Sequence, residues 1–293
     1  MIIRLCSALL LVPALFLVSA VQDSSPGSSG SEPSAQPEEV APAGRMLVFS
    51  KTAGFRHASI PAGIACMRLL GEELGFDVVA TEDSGVFTPK ELKAFSVIVF
   101  LNTTGDVLDA TQQVAFESWV RSGGGWLGVH SAADTEYDWP FYAELVGAYF
   151  DSHPPVQQAV VVVEQRDHPS TRMLPGLWRR TDEWYTYRMN PRPHVTVLAT
   201  VDESTFTGGG MDGDHPIAWC HDSLGGRALY TGGGHTKSSY DEGPFREHLK
   251  GALRWVVGGG DVLVEPDEDG SGEEEVEKPR AVPEVEESTS TDS

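Results

Sequence analysis

Three shortages narrow what this chain does. Cysteine is the first: 293 residues carry only three, too few for a disulfide framework even in an exported protein. Cys6 falls in the N-terminal leader. Cys66 falls in an amphipathic helical pattern and Cys220 beside a strand pattern, which favours two separate buried thiols over a bridge. Basic residues are the second shortage. Against 43 Asp and Glu stand 21 Lys and Arg, a net charge of −22, which argues against nucleic acid as a partner because phosphates demand basic patches. The third is a long apolar run. Leu9–Val18 is short of the about 20 residues a bilayer span needs. With Arg4 before it and Val18-Ser19-Ala20 after it, Met1–Ala20 reads as a cleavable signal peptide, which predicts export to the periplasm or beyond and no stable membrane span after cleavage.

The charge is unevenly spread. From Asp261 to Ser293 there are 13 acidic and 2 basic residues, half the net charge of the chain, so 261–293 reads as a solvated, disordered tail. Residues 21–44 are rich in Ser, Pro, Gly and Glu, with two valines as their only large apolar side chains, and read as a disordered linker. What remains, 45–260, is long enough for one large domain with a full core.

Within it, apolar runs at Met46–Phe49, Phe76–Ala80, Ser96–Leu101 and Trp126–Val129 read as strands. Helical patterns at Ser59–Gly75, Thr88–Lys93 and Ala110–Arg121 separate them. Strand, crossover helix and strand in repetition imply an α/β fold with a mainly parallel sheet and helices on both faces. A helix over Trp139–Val146 follows. Then Gln157–Glu164, Trp184–Arg188, Val195–Val201, Ile217–Cys220 and Arg227–Thr231 read as short strands without helices between them, hence antiparallel additions to one edge. A helix over Phe245–Val257 closes the domain.

The reactive side chains follow the strands. Lys51–His57, Asn102-Thr103-Thr104 and His130-Ser131 to Asp134 each come directly after a strand. Ligands of open α/β sheets bind beyond the carboxyl ends of strands, so these loops are expected to share one edge. Of nine histidines, His57, His130, His153, His215 and His235 sit at element ends among small residues or proline. The pair Asp182-Glu183 precedes Trp184-Tyr185, and a carboxyl beside aromatics is a candidate acid or base. The expected catalytic residues are His130, Glu183 and Asp134. His57, Asn102, Thr103, Ser131, His153, Tyr185 and His235 are expected to bind substrate. A divalent metal ion is the cofactor that imidazoles and carboxylates would take, with His57, His130 and His235 as its ligands. With no HExxH spacing, such a site must be assembled from distant loops. A Ser-His-Asp hydrolase is disfavoured, because no glycine follows Ser131 in the way a G-x-S-x-G turn requires. Trp126, Tyr137, Trp139, Tyr149, Trp184, Tyr185 and Tyr187 crowd these loops, and aromatic faces beside polar rims suit sugars.

Taken in order, Lys51–Ile60, Asn102–Gly105, Gly123–Asp134, Gly147–Pro154, Asp182–Tyr185 and Gly225–His235 resemble the ThuA-like family, named for trehalose utilisation, within the class I glutamine amidotransferase-like superfamily. The resemblance implies a three-layer, flavodoxin-like domain and a place in sugar metabolism around oxidised (3-keto) disaccharides. The superfamily's cysteine nucleophile would stand after the strand Trp126–Val129, where this chain has His130, so thiolate glutaminase chemistry is not expected. The expectation is an exported, sugar-processing enzyme, hydrolytic or eliminative on a keto-glycoside. The alternative is a non-catalytic carbohydrate-binding or scaffold module.

Overall fold

The computed structural model describes residues 44–258. The expected leader, the linker short of Gly44 and the acidic tail lie outside the described residues. The elements, in chain order, are β1 (Gly44–Phe49), α1 (Ile60–Glu73), β2 (Phe76–Thr81), α2 (Pro89–Leu92), β3 (Val97–Leu101), α3 (Ala110–Arg121), β4 (Gly125–Val129), α4 (Pro140–Val146), β5 (Phe150–Ser152), β6 (Gln157–Val163), β7 (Leu177–Asp182), β8 (Thr186–Tyr187), β9 (Thr196–Val201), β10 (Pro216–His221), β11 (Ala228–Thr231) and α5 (Gly243–Val256).

Nine strands form one sheet in the order β2-β1-β3-β4-β11-β10-β9-β6-β7, and β5 and β8 pair separately. The first five in that order are parallel, and each later strand runs antiparallel to its neighbour. β3 and β4 are buried along their whole length, as continuous apolar strands covered on both faces must be. Phe100 of β3 packs on Phe116 of α3 and Tyr142 of α4. Its neighbour Leu101 lies against Gly63 of α1. Adjacent strand residues point to opposite faces, so helices cover both sides and the domain has three layers.

α3 is opened by a capping box: Asp109 accepts from the Thr111 and Gln112 amides while the Gln112 side chain accepts from the Asp109 amide. α5 buries Phe245, Leu249, Ala252, Leu253 and Val256 at helical spacing.

Two strand expectations need correction. Arg227–Thr231 is not an antiparallel addition: β11 pairs parallel with β4, because its hairpin with β10 turns the chain back into the direction of β4. Of Trp184–Arg188, only Thr186–Tyr187 is strand, and it belongs to the small second sheet. β7 was not legible as a strand. Its inward positions are Trp178, Arg180 and Asp182, and two buried charges hide the apolar alternation that marks a half-buried strand.

The functional consequence lies in strand direction. β10 and β6 are reversed, whereas β7 again points the way of β1, β3, β4 and β11. The carboxyl ends of these five strands therefore share one edge, and each delivers a polar loop to it.

Candidate active site

His130 follows β4 directly, and its backbone turns sharply there, with φ at +53°. That left-handed conformation is costly for a residue with a Cβ and marks a turn held by its surroundings. The side chain is fully buried. His130 Nδ1 lies 2.9 Å from the Gly232 carbonyl oxygen, which can only accept, so Nδ1 carries the proton and a neutral ring presents a lone pair on Nε2. Behind β11, Gly232-Gly233-Gly234 brings the chain close to this ring, and Gly234, with φ at +113°, takes a conformation suited to glycine. His235 follows it.

The end of β7 supplies the carboxylates, and the two adjacent acids have different tasks. Asp182 is wholly buried and accepts from the amides of Glu183 (3.0 Å), Gly234 (2.8 Å) and His235 (3.1 Å) and from Ser239 Oγ (3.0 Å). Arg180 Nη2 pairs with it at 3.0 Å. Asp182 thus pins the loop that carries His235 to the strand that carries Glu183.

Glu183 turns toward the imidazoles. Its Oε2 lies 3.0 Å from His235 Nδ1 and 3.4 Å from His130 Nε2, and its Oε1 lies 3.0 Å from His153 Nδ1. His130 Nε2 and His235 Nδ1 are 3.2 Å apart. His57, from the loop after β1, stands edge-on to His130 and His235, with ring centroids 4.8 and 5.1 Å away. Ser131 Oγ lies 3.3 Å from its Nδ1. Burial works against the charge on Glu183, yet the adjoining imidazoles of His130 and His235 prevail and hold its carboxyl well below the usual range. His235 is raised, chiefly by its hydrogen bond to Glu183. Burial, then the neighbouring rings of His130 and His235, push His57 down to about 3.

A cavity of about 340 Å³ opens in front of this cluster, lined by Phe55, His57, Asp134, Phe150, His153, Glu183, Tyr185 and His235. Asp134 Oδ1 accepts from Tyr137 Oη at 2.6 Å. Burial raises the Asp134 carboxyl, against that hydrogen bond. Tyr185 packs at a tilt against His130 and Phe150, with centroids 4.3 Å away in each case.

Of the residues expected from sequence, His57, Asp134, His153, Glu183, Tyr185 and His235 line the cavity, whereas His130 is wholly buried and reaches it only through Glu183, 3.4 Å away. Three others sit beneath it. Asn102 donates to Ser59 Oγ and the Gly234 carbonyl and accepts from Tyr240 Oη, so it ties three loops together. Thr103 meets Thr135 through their hydroxyls at 2.9 Å. Ser131 meets His57. Among the five histidines at element ends, His215 is apart. Its Nδ1 pairs with Glu203 at 2.9 Å and its Nε2 meets the Tyr185 carbonyl at 2.7 Å, so it braces the Tyr185 segment from behind. Phe55 and Phe150 were not assigned from sequence. Phe55 lies inside the Lys51–Ile60 motif, and its 67% exposure beside a polar cavity is the signal that marks it.

His57, His130, His235 and Glu183 each offer a donor atom within 4.8 Å of the others, a set able to hold a metal ion. Cys66 and Cys220 are both free and buried, and neither lines the cavity. The turn after β4 carries an imidazole, and no thiol among the described residues reaches the cavity.

Comparison with known proteins follows the same span. A ThuA-like protein from Bacteroides uniformis shares 26% identity over 76% of this chain and 94% of its own, with a TM-score of 0.65. A ThuA-like protein from Parabacteroides merdae shares the fold at 19% identity, 76% and 93% coverage and a TM-score of 0.64. A cytoplasmic protein from Salmonella typhimurium does so at 12% identity, 72% and 99% coverage and a TM-score of 0.54. No curated protein matches the sequence significantly. The ThuA family profile, described as trehalose utilisation, matches residues 45–256, nearly the whole described domain, and the chain belongs to the ThuA family, which is linked to carbohydrate metabolism.

Proposed function

We propose that this protein is an exported enzyme of carbohydrate metabolism that cleaves keto-glycosides, by elimination or by hydrolysis. One observation carries the reading: a single cavity sets a raised carboxyl, Asp134, beside a cluster of imidazoles and between the aromatic walls Phe55, Phe150 and Tyr185. The aromatic faces suit the C–H faces of a sugar ring. The division of labour between the carboxylates follows from their partners. Both oxygens of Glu183 are committed to histidines, so Glu183 orients and carries charge. Asp134 has one oxygen on Tyr137 and faces the cavity as the base.

A ketone next to the glycosidic carbon's neighbour makes that neighbour's C–H bond acidic. Asp134 takes the proton, and the C–H electron pair becomes the C=C bond of an enolate whose negative oxygen is stabilised at the imidazole cluster. As the carbonyl reforms, the glycosidic C–O bond breaks, and its electron pair leaves with the oxygen, which takes a proton from His153. An unsaturated ketose and a free alcohol result, and water added to the former completes a net hydrolysis.

The test is incubation of the full chain with 3-keto-disaccharides and with their unoxidised parents, following sugar release and enone absorbance. Release from the oxidised substrates alone is expected. Asp134→Asn and His130→Asn, the latter tolerant of the left-handed turn, are expected to lower it by about 10²- to 10⁴-fold. Wild-type rates in both variants would overturn the assignment, and saturable sugar binding without product would favour the binding module. Export is tested separately by fractionating cells that express the full sequence, where retention with an intact leader defeats it.

A further inference from the structure

We propose that His130, His235 and Glu183, with His57 as the fourth donor, bind one divalent transition-metal ion of the zinc, manganese or iron type. The inference deepens the proposed function and rests on it only for what the ion does in catalysis.

Three observations carry it. The first is spacing. His130 Nε2, His235 Nδ1 and Glu183 Oε2 stand 3.2, 3.4 and 3.0 Å apart pairwise. Ligands bound at about 2.0–2.1 Å around a tetrahedral ion are separated by about 3.3–3.4 Å, so this face already has the dimensions of a coordination edge. The second is orientation. The carbonyl of Gly232 fixes the proton of His130 on Nδ1 and aims the bare Nε2 inward, the outer hydrogen bond that metal-bound histidines characteristically make. Asp182 holds the His235 backbone from behind. The third is an unresolved contact. With its proton on Nδ1, His130 turns a lone pair toward the carboxylate oxygen Glu183 Oε2 at 3.4 Å, and two acceptors face each other. The single Nδ1 proton of a neutral His235 cannot satisfy both of them. A cation between the three atoms resolves all these contacts at once.

Donor chemistry selects the class. Three imidazoles and one carboxylate suit zinc, manganese or iron over calcium and magnesium, which prefer oxygen. Buried His57, His130 and Glu183 exclude bulk water from the protein side, while the cavity leaves an approach for a substrate oxygen. When bound, the ion would act as a Lewis acid toward the ketone oxygen. This chain's residues hold the donors in place, and Asp134 moves the proton.

The rival is an imidazolium at His130 paired with Glu183, with no ion. Elemental analysis of the full chain, purified without chelator and again after EDTA and reloading with Zn²⁺ or Co²⁺, separates them. One tightly bound ion per chain is expected. A visible absorption band of the cobalt form and a rise in Tm of about 5–10 °C at a hundredfold excess of Zn²⁺ over Kd should accompany it. His130→Asn and the near-isosteric Glu183→Gln should lose the ion and the rise in Tm. Cys220→Ser, which alters an imidazole–sulfur contact away from the cavity (His168 Nε2 to Cys220 Sγ, 3.7 Å), should keep both. Substoichiometric metal with no cobalt band in the wild type would overturn the site, whatever the variants do. Turnover of keto-disaccharides by the metal-free chain would overturn the ion's part in catalysis while leaving the enzyme reading standing. Stoichiometric metal without turnover supports the site and defeats the enzyme reading.

Discussion

Two groups of histidines occupy opposite edges of the same sheet. At the rim, His57, His130, His153 and His235 surround Glu183. At the far edge, His168 lies in the loop after the reversed strand β6, beside Cys220 at the end of reversed β10, and His248 of α5 shares Ser170 with it. Burial alone does not tell the groups apart. It pushes His168 and His248 down to about 4, as it helps push His57 down to about 3. Partners do. His248 gives its Nδ1 proton to the Ser170 carbonyl, and its Nε2 meets nothing polar, so the ring is packing material with one satisfied hydrogen bond. The rim histidines turn their nitrogens toward one carboxylate and a cavity. A depressed imidazole therefore marks burial, and convergence marks chemistry.

The largest way to break the contrast is from behind the rim. Asp182→Asn removes the charge that pairs with Arg180 and weakens the anchorage of Gly234, His235 and Ser239. A loss of about 3–5 kcal/mol in unfolding free energy is expected from denaturant titration, since a buried pair is broken on one side only. Sugar release should fall with it even under conditions where the variant stays folded.

Acid should sharpen the contrast next. The unfolded chain takes up protons on its histidines as pH drops below about 6.5, while His248 resists until about 4. Its contribution is present above pH 6.5 and is lost as pH falls from there toward 4. That contribution is on the order of 3 kcal/mol. His248→Phe, which cannot titrate, should flatten the pH dependence of the denaturant midpoint by that amount, while sugar release at neutral pH stays at the wild-type level.

The smallest effect concerns the thiols. Burial pushes Cys66 up to about 11 and Cys220 up to about 12, so the neighbouring His168 does not activate Cys220. Labelling by a disulfide reagent at pH 8 should be at least about a hundredfold slower in the native protein than in denaturant. Fast native labelling of Cys220 would show that the far edge is reactive after all.

The parallel half of the fold was legible because β1, β3 and β4 carry continuous apolar runs and their crossovers carry helical periodicity. The order of strands and loops then placed His57, His130 and Asp134 at a common edge from the sequence alone. The antiparallel half was less legible. Which partner β11 joins is a long-range choice that its four residues do not encode, and β7 hides behind Arg180 and Asp182. Asp182 and Glu183 looked interchangeable as neighbours, yet one faces inward to backbone amides and the other faces the imidazoles. Asn102 and Thr103 were found at the correct edge, but whether a polar side chain there faces the cavity or braces loops depends on Tyr240 and Thr135, which are distant in sequence.

The turn at His130 has a bearing on how this protein can change over time. A left-handed backbone on a side-chain-bearing residue costs roughly 1–2 kcal/mol, and glycine would remove that cost. His130→Gly would relieve that strain but would also empty the space of a wholly buried ring and strip the Gly232 carbonyl of its donor, which together cost more than the strain returns. The turn is thus locked by the packing of the side chain it strains, and screening for heat resistance should leave this position unchanged.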